Sequence, residues 1–314
     1  MSFEPVNHVF LYHAYALALG GWVKTGGRVT PIEGIAPSVL SVAGGFGSAS
    51  AHHVNTGVRG QYPFGLTGPG DFYVYVGHAY TEVRGEENED AGEYRTSVRS
   101  VLDNVRINDV LSIDHAEAIL RSTHRKPDPD GNAPDAEIVV GDSNILGVNV
   151  AGTAVDLARH TAPAGVPTFN IDGKPSFDTL QPLIGPHMKE AALVGKGGST
   201  SDAWLDEVCD WHDPNLLTDD PPPYAVNLAE MNQRANSHFR YSLYRSATVT
   251  KTTPGVRAYK SSVEVEKFGR IYFGEVFASH GTKQVTMFRL DLGCDNCGGM
   301  GGSGGSTNGS TYPP

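Results

Sequence analysis

Apolar and polar residues alternate with a period of two in several separate stretches of the chain. In FYVYVGHAYTEV, Phe72, Val74 and Val76 fall on one face of an extended backbone and Tyr73, Tyr75 and Ala79 on the other, so the strand predicted here starts apolar on both sides. From Tyr94 to Arg121, β-branched residues recur among alternating polar positions. Leu111, Ile113, His115, Glu117 and Ile119 share one parity, and Ser112, Asp114, Ala116, Ala118 and Leu120 share the other. HAEAIL contains good helix formers, but the alternation favours a strand.

The C-terminal third carries the densest strand pattern. Phe239, Tyr241, Leu243 and Arg245 alternate, and after a Pro254-Gly255 turn so do Tyr259, Ser261, Val263 and Val265. IYFGEVFAS and KQVTMFRLDLG, joined by His280-Gly281-Thr282, predict a hairpin. The stretches at 38–55 and 144–163 echo one another, each with an apolar run, a Gly turn and a small-residue strand containing His, and they predict two similar hairpins.

Two regions break the pattern. Residues 161–236 are punctuated by Pro163, Pro167, Pro175, Pro182, Pro186, Pro214 and Pro221 to Pro223, which predicts a loop-rich insertion, either a lid or a surface excursion. Its short helix candidates are Ser201 to Cys209, capped by Ser201 or Asp202, and Val226 to Ala235. After Cys297 the chain is uncharged and dominated by Gly, Ser, Thr and Asn, so 298–314 is expected to be a flexible tail, disordered or ordered only by packing against a neighbouring molecule, a tether or assembly arm whose deletion impairs assembly without unfolding the domain. The expected fold is therefore all-β: an antiparallel sandwich or barrel-like domain over 1–297, with a loop-rich insertion containing one or two short helices.

Composition narrows the class. Of 314 residues 38 are Gly and 20 Pro, which excludes a long-helix protein. The net charge of -11 argues against nucleic acid or an anionic membrane as partner. No apolar run reaches the roughly 18 residues of a membrane helix. The nearest, Val9 to Val23, is broken by His13 and Gly20-Gly21. Glu4 precedes that run and the first basic residue is Lys24, so no signal peptide is expected in this chain; either it is not exported that way or it is a mature form.

Candidate chemistry is scattered. Cys294-Asp295-Asn296-Cys297 has the spacing of half a zinc site or a redox pair, and Cys209 with His212 could complete a Cys3His set for structural zinc. In an oxidising compartment the same cysteines read as a disulfide with one thiol left over. Asp128, Asp130, Asn132 and Asp135 gather hard oxygen ligands around Gly131, as a calcium loop does, or form an acidic surface turn. His52-His53, His78 with Glu82, and His115 with Glu117 are possible metal or acid–base pairs, although His52 and His53 would point to opposite faces of a strand. Gly44 to Ser48 resembles a phosphate loop only loosely, without the strand–loop–helix context. Tyr73, Tyr75, Tyr241 and Tyr244 belong to aromatic clusters that stack on sugars, form protein interfaces or pack within a sheet.

Several segments, in order, carry a resemblance: Ala14 to Leu19, GGFGSASAHHVN at 44–55, Ser97 to His124, NILGVNVAG at 144–152 and FGEVFASHG at 273–281. Together they resemble the choice-of-anchor β-rich domains of secreted bacterial proteins. That resemblance implies an exported surface protein without known catalysis. The chain departs from it in that no leader is expected from its first residues, and in the length and polarity of 161–236.

The leading expectation is a non-enzymatic extracellular or cell-surface structural protein that self-associates through aromatic or edge-strand contacts. One alternative is an extracellular hydrolase or glycan-binding protein with 161–236 as a lid; another is a virion or phage-derived shell protein.

Overall fold

The structure, a computed structural model, describes residues 9–25, 28–61, 71–126, 137–139, 142–159, 168–172, 174–175, 238–259, 261–266, 268–279, 283–292 and 298–312. Among them every regular element is a strand. In chain order these are β1 (Val9–Thr25), β2 (Arg28–Ala43), β3 (Phe46–Gln61), β4 (Asp71–Asn88), β5 (Glu93–Ile107), β6 (Leu111–Arg125), β7 (Glu137–Val139), β8 (Asn144–Leu146), β9 (Asn149–Val150) and β10 (Thr153–Arg159). They continue with β11 (Thr168–Asp172), β12 (Lys174–Pro175), β13 (His238–Ser242), β14 (Tyr244–Val249), β15 (Val256–Tyr259), β16 (Ser262–Val265), β17 (Gly269–Ser279), β18 (Lys283–Leu292) and β19 (Gly298–Tyr312). No helix among the described residues is long and apolar enough to cross a membrane.

The strands form two antiparallel sheets. The first runs β15-β16-β17-β18-β19-β1-β2, with β13 also on β17; the second runs β12-β11-β7-β6-β5-β4-β3, with β8 and β9 also on β6 and the pair β10-β14 beyond β9. One continuous apolar core lies between them, built from Phe10, Tyr12, Leu19, Leu40 and Phe288 on one side and Val83, Val98, Leu102, Ile113 and Leu120 on the other. Phe10 stacks on Tyr94 across the core with ring centroids 4.4 Å apart. The β2-β3 connection through Gly44-Gly45 passes from the first sheet to the second, so the expected hairpin at 38–55 is instead a crossover. The expected β17-β18 hairpin is present, as is the turn at Pro254-Gly255.

A row of residues crosses each sheet where the in–out alternation reverses. In the second sheet Asn55, Gly77, Asn104 and Asp114 lie opposite one another, between the pairs Thr56↔Val76 and Val54↔His78, Val76↔Val105 and His78↔Asp103, and Val105↔Ile113 and Asp103↔His115. Asn55 and Asn104 adopt positive φ, 48° and 51°, the left-handed conformation Asn tolerates best after Gly. In the first sheet the row is Ala36, Ala18, Ser303, Met287 and Gly274, and again every second member has positive φ: Ala36 at 49°, Ser303 at 48° and Gly274 at 66°. The expected parities fail here. Ala79 is buried with Val74 and Val76, not with the tyrosines, and Ala116, Ala118 and Leu120 are buried on the same side as Leu111 and Ile113.

The expected flexible tail is the largest correction. Residues 298–312 are β19, paired with β1 from Gly298 to Tyr312 on one side and with β18 from Gly299 to Thr307 on the other. Its lack of side chains fits that central place. A Cβ at Gly302 would strike the Phe288 ring, one at Gly305 the Val98 side chain, and one at Gly309 the Phe10 ring. The composition that looked too poor to order is what lets large side chains from neighbouring strands and the facing sheet close over the strand. A domain boundary at 297 is therefore overturned.

Candidate functional site

The pleat reversal assembles the main polar cluster. In an unbroken alternation His115 would share a face with Ile113, which is buried. Reversal at Asp114 turns His115 outward beside Asp103 of β5 and His78 of β4, which are direct partners across the sheet. The two oxygens of Asp103 are divided between the imidazoles: His78 Nδ1 lies 2.7 Å from Oδ2 and His115 Nδ1 lies 2.6 Å from Oδ1. His115 Nε2 is 3.8 Å from Glu117 Oε2, and Glu117 accepts a hydrogen bond from Arg99 Nε at 2.7 Å. On β3 the His52 ring meets the His78 ring edge-on, with centroids 4.9 Å apart.

The electrostatics follow from this geometry. Desolvation by burial pushes the Asp103 carboxyl upward, but hydrogen bonds from His115 and His78 and their charge outweigh it and hold it below the ordinary carboxylate range. With Asp103 ionised, both Nδ1 atoms act as donors, so each neutral ring carries its proton there and leaves Nε2 as an acceptor. Such carboxylate-oriented imidazoles can exchange protons or hydrogen-bond a polar ligand. Their row across the sheet reads Val54, His78, Asp103, His115, Leu146, and the next reads His52, Tyr80, Val101, Glu117, Asn144. Neither row supplies an alkyl hydroxyl or thiol as nucleophile.

The sequence reading found His52, His78, His115 and Glu117 but paired His78 with Glu82 and overlooked Asp103. Glu82 instead pairs with Arg84. An Asp-Asn dipeptide at 103–104, inside a run of strand formers, was the available signal.

The other expected sites fare as follows. Tyr73 donates its hydroxyl to Asp109 Oδ1 at 2.8 Å and Tyr75 to Asn55 Oδ1 at 2.9 Å, both half-buried on the outer face of the second sheet. Tyr244 is no interface residue: it is 3% exposed, and its hydroxyl accepts the Ile145 N–H at 2.8 Å within the core. Tyr241 lies on β13. Cys209, His212, Cys294 and Cys297, the acidic loop Asp128, Asp130, Asn132 and Asp135, and both helix candidates lie outside the described residues. Among the described residues no group of three or more His, Cys, Asp or Glu side chains has the geometry to hold a metal ion.

No curated protein matches the chain. No solved structure matches it either. A family model described as a domain of unknown function, DUF8256, matches residues 10–279, from β1 through β17, and the chain belongs to that family.

Proposed function

We propose that the chain is a non-enzymatic structural protein, a β-sandwich unit that self-associates in an extracellular or cell-surface setting. One observation carries the self-association. The sheet orders end in β2 and β3, consecutive strands of 16 residues each, so one flank of the sandwich presents two long strand edges with no further strand among the described residues. Unpaired edges of this length are templates for another strand unless they are blunted. The exported setting rests on the resemblance to choice-of-anchor domains. Light scattering on the purified protein, with negative-stain microscopy, tests the reading: dimers or larger particles are expected, and a strict monomer across micromolar concentrations overturns it.

A second reading, a ligand-binding or hydrolytic surface taking a polar molecule such as a glycan, is favoured by Asp103 held between His78 and His115 with Tyr80 in the next row. Glycan binding that Asp103→Ala abolishes would move weight to it.

A further inference from the structure

From the ladder and the side chains of β3, we infer that a second copy of this chain pairs with it, antiparallel, about a dyad at Ser50. This deepens the self-association reading and rests on it.

The two edge strands of the flank are unequally protected. The Gly44 N–H bonds to the Phe10 carbonyl, 2.8 Å, one residue beyond the pair Leu11↔Ala43. Antiparallel ladders alternate, so up to the reversal at Ala36 even-numbered residues of β2 face β1 and odd-numbered ones face out. Pro37 thus stands at an outward position and removes the donor there, a known way of blunting an edge.

For β3 the Glu87 N–H bonds to the Gly45 carbonyl, 3.1 Å, one residue beyond Phe46↔Glu86. By the same alternation the backbone groups of Phe46, Ser48, Ser50, His52 and Val54 point away from β4. No Pro, Lys, Arg, Asp or Glu occurs from Phe46 to Val58. Ser48, Ser50, His52, His53 and Val54 are exposed.

The segment is also self-complementary. It is bounded by the Gly44-Gly45 turn before Phe46 and by the left-handed Asn55 after Val54, so the straight edge runs from 46 to 54 and its centre is Ser50. Antiparallel pairing about that centre sets Ser50 against Ser50 of the second copy, Ser48 against its His52, and Phe46 against its Val54. Phe46 is 67% and Val54 56% exposed, and this register covers each with the other at both ends. In a chain with net charge of -11, an uncharged edge is also where two copies meet with least repulsion.

Sedimentation velocity of the full chain and two variants tests this. The wild type should sediment as a dimer or a multiple of it. S50P removes an outward N–H without touching the ladder to β4, and should give monomer, or half the subunit number, with an unchanged far-UV spectrum. S50C should form an intermolecular disulfide under mild oxidation, found by mass spectrometry as a peptide linked to itself, because hydrogen-bonded antiparallel partners lie about 5.5 Å apart. If the wild type associates but folded S50P associates equally and S50C does not link to itself, the β3 pairing is wrong and self-association stands; a monomeric wild type overturns both.

Discussion

The hydroxyl of Thr81 on β4 donates to the backbone carbonyl of Ala36 on β2, 2.7 Å away across the core, and accepts from Ser38 Oγ at 2.9 Å. Ala36 is one of the left-handed residues of the reversal row, and its carbonyl accepts this bond from the opposite sheet. A parallel bond runs from Ser303, the left-handed residue of β19, to the Ser100 carbonyl at 2.7 Å. A buried carbonyl without a partner costs about 1–3 kcal/mol. Thr81→Val is therefore expected to lower unfolding free energy by that amount and Thr81→Ser by less, as read from urea midpoints at constant m-value.

Truncation after Cys297 should prevent folding, since β19 joins β1 to β18 at the centre of the first sheet. Gly305→Val is the graded version. It forces a side chain against Val98 and within 2.8 Å of the Tyr15 carbonyl, and should cost at least the roughly 1–3 kcal/mol of overpacking. Thermal melts of both decide it; a truncated chain with a native-like cooperative transition would restore the tail.

Acid should weaken the fold through His124. Burial, with the charge of Lys283 added, pushes this imidazole down to about 4. The folded ring thus resists protonation that the unfolded chain accepts near 6.5. The stability is fully present above pH 6.5 and falls as pH drops toward 4, by roughly 3 kcal/mol in all. His124→Phe should flatten that part of the profile, measured as urea midpoints between pH 7.5 and 4.5.

The carboxylate of Asp103 should also fix a tautomer. At pH 8 long-range proton–nitrogen NMR correlations are expected to show His78 and His115 protonated at Nδ1, opposite to the usual preference for Nε2. Asp103→Ala should return both to the usual form. Rings already protonated at Nε2 in the native protein would remove the dyad geometry.

Much of this was legible in the chain. Period-two patterns in β4, β5, β6, β17 and β18 specify strands, and the Gly and Pro content excludes helices as the main element, because these are local preferences of backbone and side chain. The pleat reversals were not, for they are shared by neighbouring strands: Asn55, Gly77, Asn104 and Asp114 are far apart in sequence and meet only through pairing. The same holds for the cluster they turn outward, where Asp103 lies between His78, 25 residues before it, and His115, 12 after. Sequence alone determined the class of fold and the candidate histidines. Tertiary structure decided that the Gly-rich end is a central strand, since strand order depends on which large side chains need the space a glycine leaves, and no local pattern carries that information.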